Sequence, residues 1–389
     1  MWNRQQRWSG IRGNQTDTER IAYIDLIETM AIIMVIFCHE LVIGTSVAAN
    51  IILQFTTVTA VPLFFMANGA LLLNAREFSL RRHIQRTAFV FTAVVGWKLI
   101  YYLVMLLIFG DAYREIPVTE MFRYCTGLNM SDPYIPAEHF WFMYALLGIY
   151  MIFPFIRIAY DEHREVIVFL CIVLFFFVFF YTDYSQIAEH LRVYRGIRMI
   201  SFDALKAYSF PFAEGADELL FFLTGGLVHE RNYQKKTSGM EQIITVVILA
   251  AAFGVLLLQK YLQTGTFHMM WVRLDKDYQR IASYMLSFMI FRFFCIRKRI
   301  LLPGLFRFFS MRTMNIYAVH YMLCYLYLQF LFPFYPEQNL WIHTLRTVAV
   351  LFASIGITEW IRFVPGLRRI LGIRPVFYWK KLRNPGVSG

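Results

Sequence analysis

Two histidines, His39 and His320, lie within or at the edge of long apolar segments of this 389-residue chain. Imidazole titrates near neutral pH, so a histidine held at a reaction site can act as a general base. A titratable side chain in an apolar environment is costly, which makes each one a candidate functional residue. The alternative is a histidine whose ring nitrogens only form hydrogen bonds with water or with a backbone carbonyl. Glu40 could tune a neighbouring base, although adjacent residues of a helix point in different directions.

Three arginines, Arg81, Arg82 and Arg86, stand together at the start of another apolar segment. Guanidinium groups bind phosphate through paired hydrogen bonds, so Arg82 and Arg86 are candidates for holding an anionic substrate. The alternative is that they only anchor the end of a membrane helix. The sequence has no Walker motif, dinucleotide-binding glycine pattern or zinc-ligand cluster. It therefore predicts neither a metal nor a bound cofactor.

The composition indicates that membrane helices position these residues. Hydrophobic residues make up 58% of the chain and charged residues 16%, whereas soluble domains carry roughly 25% charged residues. The net charge of +12 falls largely on residues that flank apolar runs, which is typical of membrane topology and argues against a nucleic-acid partner. The sequence predicts an all-α, polytopic membrane protein with about ten transmembrane helices, at residues 22–43, 51–73, 87–109, 139–157, 165–182, 206–229, 241–260, 281–296, 304–332 and 341–361.

Lysines and arginines predict how these helices are oriented. If the N-terminus is inside, the cytoplasmic segments carry 23 lysines and arginines and the opposite side carries 10. Cytoplasmic loops carry the excess in membrane proteins, so both termini are predicted to be cytoplasmic. The predicted organisation is a cytoplasmic tail at 1–20, a ten-helix membrane domain at 21–362 and a basic cytoplasmic tail at 363–389.

His39 and His320 are predicted to lie at one level of the membrane. From Ile21, His39 is roughly 27 Å along the first helix, and from Gly304, His320 is roughly 24 Å along the ninth. Both helices run outward in the predicted topology. The two imidazoles therefore reach the outer half of the bilayer, which would allow a shared site.

Six sequence segments carry a family pattern. The best match is residues 139–146, which begin with His139 and Trp141 and lead to Tyr150 and Pro154. In chain order the six segments are residues 23–28 leading to His39, residues 61–69 with their aromatic stretch and small-residue turn, the arginines at 81, 82 and 86, residues 139–146, residues 221–226, and residues 315–320. Together they resemble the membrane acyltransferase family three, the O-acyltransferases of bacterial surface polysaccharides.

The resemblance implies an enzyme of the plasma (inner) membrane that crosses it several times. Such an enzyme would move an acyl group, expected to be acetyl, from cytosolic acyl-coenzyme A to a hydroxyl of an extracytoplasmic glycan. It implies that His39 is the catalytic base and that His320 acts with it. Arg82 and Arg86 would hold the acyl-coenzyme A donor, which is a substrate and not a bound cofactor. The residues expected at the substrate are Glu40, Asn68, His139, Trp141 and Tyr317.

Two positions depart from the family pattern. Glu28 stands where the family has a basic residue eleven positions before the histidine, and Asn68 stands where it has serine. Glu28 is expected to repel a phosphorylated donor unless Arg82 or Arg86 compensates. It also favours the alternative of a transporter or exporter built on the same scaffold. A non-catalytic partner in polysaccharide assembly is a third alternative.

Overall fold

The computed structural model describes residues 21–39, 47–110, 113, 116–128, 135–200, 216–233, 235, 237–264, 277–297, 299–331 and 339–372. All regular structure within these ranges is helical, which confirms the all-α prediction. The helices are α1 (Ala22–His39), α2 (Val47–Leu73), α3 (Leu80–Phe109), α4 (Val118–Thr126), α5 (Trp141–Glu162), α6 (Arg164–Leu174), α7 (Tyr181–Arg195), α8 (Ala216–Asn232), α9 (Gly239–Thr264), α10 (Ile281–Cys295), α11 (Pro303–Ser310), α12 (Thr313–Phe330), α13 (Leu340–Ile361) and α14 (Pro365–Ile370).

Within the described residues, seven helical segments are long and apolar enough to cross a membrane. They are Ala22–His39, Asn50–Leu73, Leu80–Phe109, Glu138–Glu162, Arg164–Val193, Gly239–Gln259 and Leu340–Ile361. In the fifth, a π-helical segment, Phe175–Phe180, joins α6 to α7.

Helices also occupy the other three predicted spans, but these are shorter or more polar. The described α8 has 17 residues, and α10 has 15, which is roughly 22 Å of helix against a bilayer core of about 30 Å. α12 has 18 residues and carries an asparagine, a histidine and four tyrosines.

The ninth predicted span, 304–332, is not continuous. It is broken into α11 and α12 between Ser310 and Thr313. The Ser310 hydroxyl donates to Oδ1 of Asp25 on α1 at 2.8 Å, and Nε of Arg312 donates to Oε1 of Glu359 on α13 at 2.8 Å. The prediction of one uninterrupted helix was wrong here because both polar side chains at the break bond to neighbouring helices.

Glycines bring α2 and α8 into backbone contact at the centre of the bundle. A Cβ atom added to Gly69 would lie 1.8 Å from the carbonyl oxygen of Phe222, and one added to Gly225 would lie 2.1 Å from that of Met66. Small residues permit this close approach between membrane helices. Gly69 lies inside α2, which is continuous from Val47 to Leu73. The interpretation of its segment as a turn was wrong.

Contacts place the starts of α1 and α6 beside the end of α8, and the end of α5 beside the end of α2, so the bundle has two distinct ends. α1, α3, α6 and α9 begin at one end, called the basic end below because arginines such as Arg82 and Arg164 stand there. The other end, where α1 finishes at His39, is called the histidine end. The packing continues past residue 362, since Nε1 of Trp97 on α3 donates to the carbonyl oxygen of Leu371 at 3.3 Å.

Candidate active site

Three histidines from three different elements meet at the histidine end. His39 is the last residue of α1, His320 lies within α12, and His139 lies in the 3-10 turn Glu138–Phe140 that leads into α5. The ring centroids of His39 and His320 are 5.3 Å apart, and those of His139 and His320 are 5.4 Å apart. The prediction that His39 and His320 reach one level is confirmed.

The backbone determines which nitrogen of His320 carries the proton. Nδ1 of His320 lies 2.7 Å from the carbonyl oxygen of Tyr317. A carbonyl oxygen can only accept, so Nδ1 is the donor, and in the neutral ring Nε2 is left as an acceptor. Nε2 is fully buried and has no hydrogen-bond partner among the described residues.

The helix that carries His320 is held by a tyrosine from α3. The Tyr101 hydroxyl donates to the carbonyl oxygen of Ala318 at 3.0 Å and accepts from the backbone N–H of Met322 at 3.0 Å. In a regular α-helix these two backbone groups bond to each other. The Tyr101 hydroxyl therefore bridges the turn of α12 on which His320 stands.

Aromatic rings and a glutamate hold His139 in place. Its ring stacks on Tyr321 at a centroid distance of 4.7 Å, and its backbone carbonyl accepts a hydrogen bond from the Tyr317 hydroxyl. The Tyr321 hydroxyl in turn donates to Oε2 of Glu138 at 2.9 Å. Both ring nitrogens of His139 are buried and have no hydrogen-bond partner among the described residues. A buried polar atom left in this way costs about 1–3 kcal/mol, so the ring is suited to contact a ligand.

A cavity of about 220 Å³ lies against these residues. Its polar lining includes a glutamine from α2, since Gln54 is 3% exposed and its Nε2 has no partner among the described residues. His320 packs behind this lining, against the rings of His39 and His139. The lining residues that can bond to or stack on a substrate are His39, Gln54, Thr57, His139, Trp141, Tyr278, Tyr317 and Tyr321.

The arrangement is suited to proton transfer next to a polarised carbonyl. Imidazole can accept a proton from a hydroxyl group, and a buried amide N–H can donate to an oxygen that gains negative charge. Aromatic side chains such as Trp141 and Tyr278, whose rings are 6.2 Å apart, offer faces on which a sugar ring or an acyl group can pack. Among the described residues no group of histidines, cysteines and carboxylates has the geometry of a metal site.

The structure places the other predicted site residues elsewhere. Arg82 and Arg86 are exposed at the start of α3, where the Arg82 side chain is 74% exposed. Fifteen residues of helix separate Arg86 from Tyr101, which is roughly 22 Å. Glu40 lies outside the described residues.

Asn68 also lies away from the cavity, towards the basic end. Its Nδ2 donates to the carbonyl oxygen of Phe64 at 3.0 Å, and its Oδ1 accepts from the Tyr150 hydroxyl at 3.2 Å. His83, one turn before Arg86 on α3, has its Nε2 2.7 Å from the carbonyl oxygen of Tyr150, which places Asn68 towards the basic end. Glu28 itself contacts the hydroxyl of Ser310.

Sequence reasoning missed four of the lining residues that can bond to or stack on a substrate, namely Gln54, Thr57, Tyr278 and Tyr321. Gln54 is the only long polar side chain in the apolar stretch from residue 51 to residue 66, which is a usable signal for an intramembrane site. Tyr321 gives no such signal, because tyrosines are frequent in this chain. Its importance follows only from its contacts with both His39 and His139, at centroid distances of 4.9 and 4.7 Å.

A family model described as an acyltransferase domain, acyltransferase family three, matches residues 21–361. The match covers most of the chain and all the residues of the histidine cavity. The chain belongs to the membrane acyltransferase family three. No curated protein and no solved structure matches the chain.

Family membership identifies the chain as an integral membrane acyltransferase. An acyltransferase needs a base for its acceptor and a way of stabilising charge on the acyl oxygen. In this acyltransferase the histidine cavity offers both kinds of group within one space. The basic end offers exposed guanidinium groups instead.

Proposed function

We propose that this acyltransferase transfers an acyl group, expected to be acetyl, from cytosolic acyl-coenzyme A to a hydroxyl group of a glycan outside the plasma membrane. The observation that carries the proposal is the meeting of His39, His139 and His320 beside one cavity, whose lining includes His139 with two buried ring nitrogens that have no partner among the described residues. Buried imidazole nitrogens without partners are costly unless a ligand bonds to them. The cavity is therefore proposed as the place where acceptor and acyl group meet.

His39 is the proposed general base because it lines the cavity, whereas His320 lies behind it. An imidazole nitrogen of His39 takes the proton of the acceptor hydroxyl as the hydroxyl oxygen attacks the thioester carbonyl carbon. The carbon–sulfur bond then breaks, and the thiolate takes the proton back from the imidazolium. Donation from Nε2 of Gln54 to the carbonyl oxygen would stabilise the charge that develops there. His320 positions His39 through ring contact.

Arg82 and Arg86 are proposed to hold the phosphates of acyl-coenzyme A at the basic end. They are exposed and stand on the first turns of α3, so soluble phosphate can reach them. The distance of roughly 22 Å from Arg86 to the level of Tyr101 requires a donor with a long arm between its phosphates and its thioester. Coenzyme A has such an arm. Glu28 contacts the Ser310 hydroxyl, and Arg86 is proposed to offset the repulsion between Glu28 and the donor.

The proposed orientation has ten membrane crossings, with both termini in the cytoplasm. α8, α10 and α12 would add three crossings to those of the seven long apolar segments. The basic end would face the cytosol. Lysines and arginines concentrate on the cytoplasmic side of membrane proteins, which supports this orientation. The histidine end would then face the glycan acceptor. Lipid surrounds the bundle, and no nucleic-acid partner is proposed.

Packing between the two ends favours a transferase over a transporter. The ring of Phe142 lies 4.8 Å from Phe65 and 5.4 Å from Tyr317, and all three side chains are buried. Glu28, the basis of the transporter alternative, is not among the residues that line the histidine cavity.

The test is acyl transfer by protein reconstituted in vesicles, with acyl-coenzyme A on the basic side and glycan acceptors on the other. His39→Ala is expected to lower the rate about a hundred- to ten-thousandfold, because removing a positioned base has this effect. His163→Ala is the matched control, since His163 is exposed between α5 and α6 and its side chain is 62% exposed. Wild-type protein that moves a glycan or small solute without acylating it would refute the proposal.

A further inference from the structure

A second cavity, of about 430 Å³, lies at the basic end of the bundle. It is separate from the histidine cavity and shares no lining residue with it. Four helices contribute to it, namely α6, α8, α9 and α10. Its walls combine apolar side chains, such as Leu227 and Phe288, with three cationic ones.

The cavity lies between two flanking helical segments that make few contacts with each other. At the histidine end, Nε2 of Gln259 on α9 donates to Oδ1 of Asp183 on α7 at 3.4 Å. Towards the basic end α9 packs against α10 and α6 packs against α8, while α6 and α9 make little contact with each other. The resulting gap lies between helices whose outward side chains are apolar, including Phe169 and Ile243. The cavity therefore opens sideways towards lipid.

The charged groups stand at the mouth of the cavity. Arg231, Lys235 and Arg292 line it together with a single carboxylate, Glu241. None of the three cations has an ion-pair partner among the described residues, and Nη1 of Arg292 donates only to the neutral hydroxyl of Thr245. The cavity thus has an excess of positive charge that no described acidic side chain neutralises.

The uncharged part of the cavity lies deeper in the bundle. Tyr284 stands eight residues before Arg292 on α10, so the two are separated by roughly 12 Å along the helix. Its hydroxyl bonds to Oγ1 of Thr224 at 3.0 Å, which leaves its ring and Cys171 as apolar walls. A cationic mouth and an apolar interior, open to lipid, match a molecule with a phosphate group and hydrocarbon chains.

We propose that this cavity binds an anionic phospholipid. Its phosphate would lie between Arg231, Lys235 and Arg292, and an acyl chain would lie in the gap between α6 and α9. Basic pockets between membrane helices on the cytoplasmic side recognise anionic lipid headgroups in this way. The proposal depends on the charges and the gap and does not require the acyl-transfer chemistry at His39.

The test measures thermal unfolding of purified protein in a neutral detergent. Phosphatidylglycerol is expected to raise the unfolding temperature more than phosphatidylcholine with the same acyl chains. The double substitution of Arg231→Gln and Lys235→Gln should weaken the apparent affinity for phosphatidylglycerol roughly thirtyfold, since each basic residue contributes about a fivefold factor. The matched control is Arg297→Gln with Arg299→Gln, which removes two exposed cations at the same end but outside the cavity.

A cavity-filling variant and coenzyme A distinguish a lipid from a soluble phosphate compound. Cys171→Phe should weaken the effect of phosphatidylglycerol because it fills the apolar interior, and the unfolding temperature of the lipid-free variant shows whether it has folded. Arg82→Gln and Arg86→Gln should leave the lipid effect unchanged. Equal stabilisation by the two lipids, or equal affinity in the double variant and its control, would overturn the proposal. A shift that coenzyme A produces through Arg231 and that phosphatidylglycerol does not would also overturn it.

Discussion

At the scale of single residues, Gln54 adds a neutral amide donor to a cavity whose other polar lining residues are mostly aromatic. It is 3% exposed, and its Nε2 has no partner among the described residues. Folding gains little from an amide group held in this way, because an unpaired buried donor is destabilising. Its retention in the apolar start of α2 is understandable if the donor bonds to a substrate.

Gln54→Leu is expected to separate stability from activity. Leucine has a similar volume and no unpaired donor, so the unfolding temperature should stay the same or rise. The rate of acyl transfer should fall about a hundredfold, which is typical for the loss of one donor to a developing oxyanion. The measurements are thermal unfolding and initial rates in vesicles, with the exposed Gln85→Leu as the control. An unchanged rate in the Gln54 variant would remove this residue from the proposed mechanism.

At the scale of elements, the contact between α2 and α8 supports the position of the cavity. Gln54 and Thr57 lie on α2, and the same helix touches α8 through Gly69 and Gly225 nearer the basic end. Arg157 of α5 strengthens the end of α2, since its guanidinium donates to the carbonyl oxygens of Leu72 and Ala75 at 2.9 and 2.8 Å. The direction of α2 is therefore determined by two contacts, one with α8 and one with Arg157 of α5.

Gly225→Ala is expected to destabilise the bundle, whereas Gly254→Ala is not. A Cβ at position 225 would lie 2.1 Å from the Met66 carbonyl oxygen, so the two backbones would have to separate. Overpacking of this kind typically costs about 1–3 kcal/mol. A Cβ at position 254, in the exposed face of α9, meets nothing within 4 Å and only improves helix propensity. Thermal unfolding of both variants checks this, and equal unfolding temperatures would contradict the described contact.

The sequence predicted the elements better than their contacts. That His39 and His320 lie near each other could be predicted, although the estimate of roughly 24 Å along one continuous helix from Gly304 does not hold, because the span is broken between Ser310 and Thr313. The break between α11 and α12 could not, because it depends on bonds from Ser310 and Arg312 to helices far away in the sequence. The same holds for Gly69, whose close contact with Phe222 gives no local signal. Site residues such as Tyr321 are recognisable only after folding has brought them next to the histidines.

At the scale of the whole molecule, the two ends of the bundle differ in charge and in chemistry. Exposed arginines and the second cavity belong to the basic end, and the histidine cavity belongs to the other. For the proposed transfer from a cytosolic donor to an external acceptor, this polarity requires a defined orientation in the membrane.

Reporter fusions test that orientation. Fusions after residues 85, 235 and 385 are expected to be cytoplasmic, and fusions within 115–130 and 335–340 extracytoplasmic. The reason is the excess of lysines and arginines, 23 against 10, on the side of the N-terminus. Alkaline phosphatase and green fluorescent protein fusions provide opposite readouts at each position. An extracytoplasmic C-terminal fusion would rule out ten crossings with cytoplasmic termini.

The bridge made by the Tyr101 hydroxyl connects these two ends mechanically. α3 is one unbroken helix that carries Arg82 and Arg86 near its start and Tyr101 near the histidine cavity. Because Tyr101 bonds to backbone groups on both sides of His320, a small axial shift of α3 would alter the curvature of α12 at that turn. Any change that displaces α3 along its axis would therefore act directly on the turn of α12 that carries His320.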